Sequence, residues 1–214
     1  MTPEFAKPVD TIFLHVLRLQ ERIAAGENPS PQDERAHIRG WMDQAEAKIG
    51  QSPEWRLAKY ALVSWIDEML VDPAWEGNDW WKNNVLEQEL FSTRERYHQF
   101  YEQAKQAHAA GYRNALEVFY LCVVLGFRGL YADAWAVQQE AERFDLPPTI
   151  EKWAAQVSMA IQMSPKPPIT SGGPMGPGAP PLNGQALLIS STMLAAVLGA
   201  LVVGAVFMLS NSPQ

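Results

Sequence analysis

The chain has 214 residues and a formal net charge of −7. Every charged side chain lies at or before Lys166, so the acidity belongs to the part preceding a long uncharged tail and excludes nucleic acid as a main partner. A single cysteine, Cys122, excludes an intrachain disulfide and suits a reducing cytoplasm; in the apolar run 119–125 it reads as a buried, inert thiol.

From the N-terminus, Ile12, Val16, Leu19 and Ile23 repeat at helical spacing after Pro8, with Asp10 as the expected cap. Pro31–Ile49 reads as a charged, weakly amphipathic helix. Ser52 can cap the next one, Pro53 suits its first turn and Glu54 favours its positive end. That helix runs to about Val71 with Ala58, Leu62, Trp65 and Met69 on one stripe. Tyr97, Phe100 or Tyr101, Ala104 and His108 mark another. Residues 115–125 are apolar nearly all round but too short to cross a bilayer, which predicts the central buried helix. Gly126-Phe127-Arg128-Gly129 lacks the Gly-Lys-Ser/Thr of a phosphate loop, so its expected role is to stop that helix in a left-handed turn. Helices over 133–144 and 149–161 complete the set, the latter with Ile150, Trp153, Ala154, Val157 and Ile161 inward. No strand alternation or internal repeat is present. The predicted fold class is all-α, a helical bundle over residues 1–163.

Residues 164–184 are more than half Pro and Gly, a composition that favours neither helix nor sheet and reads as a linker. Residues 185–209 carry no charge. A helix of about two dozen residues is roughly 36 Å long and crosses a hydrocarbon core of about 30 Å. A transmembrane helix over 185–209, followed by a short periplasmic tail at 210–214, predicts a tail-anchored, single-pass protein whose N-terminal domain is cytoplasmic. Lys166, on the N-terminal side, is the nearest cation and agrees with that orientation. Within the span Ala196, Ala200 and Gly204 recur every fourth residue, a spacing that lets two membrane helices approach closely.

No enzyme template fits. The four histidines, His15, His37, His98 and His108, show no HExxH motif or i, i+4 pair, and one cysteine cannot build a zinc knuckle, so neither metal, cofactor nor catalytic residue is assigned. Asp67 and Glu68 draw attention because they sit late on a mostly apolar helix, where the negative end of its dipole opposes them. They point about 100° apart and cannot flank one scissile bond. Two readings stand: a solvated helix edge, or a polar core or partner-binding position with Arg128 or a lysine as counter-charge. The following connection carries Trp75, Trp80 and Trp81, residues that plug gaps between helices and dominate recognition surfaces.

These segments carry a family resemblance. YALVSWIDEML at 60–70, the Trp80-Trp81 pair, LEQELF at 86–91 and LEVFYLCVVLGFRGLY at 116–131 are similar to the TssL/DotU (IcmH) family, inner-membrane proteins of type VI secretion systems and their type IVB relatives. The resemblance implies seven or eight cytoplasmic helices in two small bundles with a cleft between them. It implies a structural job: joining a TssM/IcmF-like membrane protein, docking TssK-like and other baseplate subunits, and pairing with a second copy. It places the family's acidic pair at Asp67 and Glu68, which favours the partner or cleft reading. The N-terminal extension is short and no peptidoglycan-binding domain follows the span, so cell-wall anchoring is expected from another subunit. The alternatives are a type IVB counterpart and, from another class, a membrane-tethered enzyme using Asp67, Glu68 and Arg128.

Overall fold

The computed structural model describes residues 1–164, and those residues form an all-helical domain. The expected seven to eight helices resolve into six long ones, α1 (Pro3–Ala24), α2 (Pro31–Ile49), α3 (Pro53–Val71), α6 (Arg96–Ala109), α7 (Arg113–Val124) and α9 (Ile150–Met163), and three short ones, α4 (Asn78–Asn83), α5 (Leu86–Phe91) and α8 (Ala134–Glu140). The proposed linker, membrane span, tail and the stripe Ala196, Ala200, Gly204 lie outside the described residues.

Local signals account for α2 and α3. Ser30 accepts the Asp33 amide and Pro31 opens α2, while Ser52 accepts the Trp55 amide at 3.0 Å ahead of Pro53. α1 departs from expectation, since it starts at Pro3 and carries Pro8 inside rather than before it. The missing amide of Pro8 is offset because Phe5, Pro8 and Val9 bury that extra turn.

α1 and α2 form a hairpin whose apolar faces meet α3, and α3 packs in turn on α4, α5, α6 and α7. α9 covers α7. One continuous apolar core runs through the whole arrangement. The central helix is α3, not α7 as the composition of 115–125 suggests: every residue from Tyr60 to Glu68 is buried, whereas Val124 on α7 is 57% exposed. The stretch Arg113–Ala132 is apolar enough to pass for a membrane span by length and hydropathy, but here it is α7 and a following short turn, packed against α3, α6 and α9.

On α6 the inward residues are Phe100, Tyr101, Ala104 and Ala107, with Tyr97 and His108 outside the buried stripe. Phe100 lies tilted against Phe127 at 4.0 Å and edge-on to Phe119 at 4.8 Å, and Trp153 of α9 meets Tyr101 edge-on at 5.3 Å. The helix expected over 133–144 shortens to α8, because none of its residues is buried to extend it and the chain turns at 141–145. On α9 only Trp153 and Val157 are buried, the other three expected residues being half-buried.

α7 stops as its sequence predicts. The Phe127 amide donates to Cys122 O and the Gly126 amide to Val123 O, with Gly126 at φ 116°, the paired bonds of a glycine-terminated helix. Cys122 is enclosed, and burial pushes its thiol well above the usual value.

Candidate functional site

α5 begins without a local cap, since Val85 offers its first turn no side-chain acceptor. The free amides at a helix start need acceptors, and Asp67 supplies them from α3. Its Oδ2 accepts the Glu87 amide at 2.8 Å, and its Oδ1 accepts the Leu86 amide at 2.9 Å and the Trp81 indole N–H at 3.0 Å. Asp67 and Trp81 are both fully enclosed.

Glu68 turns the other way and holds a different loop. Its carboxylate accepts the Arg128 amide at 2.6 Å and the Gly129 amide at 3.1 Å. Gly129 sits at φ 51°, and a Cβ there would lie 2.8 Å from the Tyr97 carbonyl oxygen, so only glycine lets the loop reach Glu68 this closely. Both acids are buried, which sets aside the solvated-edge reading. The expected counter-charge is also absent from Glu68: the Arg128 guanidinium instead donates to Val123 O and Phe127 O, each at 3.0 Å, covering the carbonyl end of α7. The compensation for two late acids on α3 is chiefly backbone N–H groups, joined at Asp67 by the Trp81 indole and, at both, by the positive charge of Arg96.

The same device recurs twice. α7 starts at Arg113 with no side-chain cap from Tyr112, and Glu54 Oε1 from the first turn of α3 accepts the Asn114 amide at 2.8 Å. Glu95 opens α6 without a cap, and Glu87 Oε1 accepts its amide at 3.0 Å while also receiving the Tyr60 hydroxyl at 2.8 Å. Glu87 is enclosed, with Arg96 Nη1 3.9 Å away. Sequence reasoning missed Glu54 and Glu87 in these roles. The one signal in the sequence was negative: Val85, Glu95 and Tyr112, which precede these helices, are poor caps.

Burial pushes the carboxyls of Asp67, Glu68 and Glu87 above their ordinary values, opposed by the amides and hydroxyl that bind them. Both oxygens of Asp67 and of Glu68 accept N–H donors, and the two side chains face different loops. The arrangement positions backbone and offers no acid–base pair to a substrate.

The tryptophan connection folds onto the end of α3. Trp75 donates its indole N–H to Leu70 O at 3.0 Å, and Asn78 donates to Pro73 O at 2.8 Å. Trp80 lies half-buried beside Trp81 with the Arg35 guanidinium 5.9 Å from its ring. Of the candidate site residues, Asp67, Glu68 and Trp81 are therefore inside the domain. Trp75 and Trp80 are partly accessible, and Arg128 is exposed. Glu68 holds the loop that bears Arg128, and Asp67 holds Trp81 beside Trp80, while Trp75 is tied to Leu70 O.

A family model described as Type VI secretion system protein DotU matches residues 6–211. Among solved structures, the cytoplasmic domain of TssL from Acinetobacter baumannii resembles this chain with a TM-score of 0.54 at 26% identity, over 71% of this chain and 94% of that one. No curated protein matches it.

Proposed function

The chain belongs to the DotU family of type VI secretion system proteins, and from that premise we propose that it is a structural, non-enzymatic subunit of the membrane complex of such a system. The observation that carries this reading is the match of its helical domain to nearly the whole cytoplasmic domain of a TssL. Residues 1–163 form the cytoplasmic domain, and residues 185–209 anchor it in the inner membrane with 210–214 in the periplasm. The domain links a TssM/IcmF-like membrane protein to TssK-like and other baseplate subunits, and a second copy pairs with it through Ala196, Ala200 and Gly204. Asp67 and Glu68 serve this role from inside: Asp67 fixes Trp81 beside the accessible Trp80, and Glu68 fixes the loop that brings Arg128 to the surface. Occupied carboxylates support a structural role over a catalytic one, and the resemblance to a TssL domain supports the type VI branch over the type IVB one.

Detergent extraction of the full chain, co-expressed with TssM-like and TssK-like proteins, tests the proposal. Both partners should co-purify with it, and alkaline carbonate should leave the chain in the membrane pellet. Release by carbonate, or recovery without either partner, would reject the reading.

A further inference from the structure

His15, Glu34 and His37 are unremarkable by linear spacing, yet the α1–α2 hairpin brings them together. Glu34 and His37 are three residues apart on α2 and share a face, while His15 comes from α1 opposite them. Their ligand atoms all lie within 4.8 Å of one another. His15 Nε2 is 3.0 Å from Glu34 Oε2. Two donors bound tetrahedrally to one ion at about 2.0–2.2 Å stand roughly 3.3–3.6 Å apart, so this edge needs to open by only a few tenths of an ångström to hold a metal.

The surroundings also fit. Arg22 Nη1 donates to Glu34 Oε1 at 2.8 Å, and Arg22 Nε is itself held by Glu27 at 2.8 Å. This contact aims Glu34 and leaves Oε2 on the histidine side, the role outer partners play at metal sites. Glu34 is 6% exposed, and Arg22 and His15 account for its two oxygens. His37 is different: it makes no hydrogen bond among the described residues and packs edge-on to His15 with ring centres 6.1 Å apart. Its exposure leaves that side of the cluster open to solvent.

We infer that His15, Glu34 and His37 bind one divalent transition-metal ion of the zinc class, clamping α1 to α2. Two imidazoles and one carboxylate are a zinc-type donor set. The ion replaces the hydrogen bond between His15 Nε2 and Glu34 Oε2, its proton passing to solvent or to His15 Nδ1, and Arg22 stays on the outer oxygen.

The full chain, purified in detergent without a histidine tag, is titrated with Zn2+ against a chromophoric chelator, with thermal unfolding measured in parallel. The expected result is one Zn2+ per chain and an unfolding temperature that rises with Zn2+. His15→Gln, Glu34→Gln and His37→Gln should each weaken binding at least about tenfold, while His98→Gln and His108→Gln leave it unchanged. Because His37 is exposed, His37→Gln should unfold like the parent without metal, which separates lost binding from lost folding. Absence of saturable binding, or binding that persists in His15→Gln or in His37→Gln, would overturn the assignment.

Discussion

The Trp81 indole donates to Asp67 Oδ1 at 3.0 Å with both side chains fully enclosed. One aspartate thus holds a tryptophan from α4 and the first two amides of α5. The short helices between α3 and α6 depend on that single carboxylate more than on their own sequences.

Trp81→Phe should remove one donor while Leu86 and Glu87 keep theirs, at a cost of about 1 kcal/mol. Asp67→Asn turns an amide NH2 toward an N–H donor and should cost roughly 2–3 kcal/mol. Urea unfolding of the two variants and the double variant measures the coupling between the residues. Equal stability of Asp67→Asn and the parent would show that the carboxylate does not cap α5.

The loop held by Glu68 should loosen locally. Glu68→Gln is expected to speed hydrogen exchange at the Arg128 and Gly129 amides while leaving those of α2 unchanged. Gly129→Ala meets the Tyr97 carbonyl and a positive φ together, and should cost roughly 1–3 kcal/mol. Gly111→Ala is the control: its φ of 70° is also positive, but nothing lies within 4 Å of the added Cβ, so the penalty should be nearer 1 kcal/mol. If both alanine variants lose the same stability, the close approach at Gly129 is not what fixes the loop.

Acid should affect the domain in two opposite ways. Asp67, Glu68 and Glu87 have folded values raised above the ordinary 3.8, 4.5 and 4.5. Between those values and the folded ones the native state keeps protons that the unfolded chain has lost, so their contribution falls as pH rises. Glu46 runs the other way, held down by Lys59 and Trp55, so its support is present above 4.5 and lost as pH falls through its lowered folded value. These carboxylates should therefore not lower the urea midpoint between about pH 7 and pH 5. Glu87→Gln should make the profile flatter from about pH 4.5 upward by removing one of the raised groups. Parallel profiles for Glu87→Gln and the parent would contradict this assignment of the slope.

Much of the helical layout was legible because its signals are local. Ser30 with Pro31 and Ser52 with Pro53 mark two helix starts, and Gly126 marks an end. Pro8 misled because a proline near a helix start normally precedes it, while the burial of Phe5 and Val9 that keeps it inside α1 is a tertiary fact. Tyr97 and His108 fit the spacing on α6 but lie outside its buried stripe, which follows Phe100, Tyr101, Ala104 and Ala107. Asp67 and Glu68 stood out by their unfavourable place at the end of α3. Their partners, Leu86, Glu87, Arg128 and Gly129, are distant in sequence, and no periodicity points to them. The meeting of His15 with Glu34 and His37 was hidden for the same reason: it depends on the register of one hairpin.

α3 reaches other elements at both extremities, with Glu54 on the start of α7 and Asp67 and Glu68 on the starts of α5 and the loop after α7. It therefore works as a ruler. One residue inserted between Tyr60 and Ile66 would swing the far acids by about 100° relative to Glu54, and all three attachments could not be made at once. Length changes in related chains should fall in the connections around α3, while the interval from Glu54 to Glu68 stays fixed.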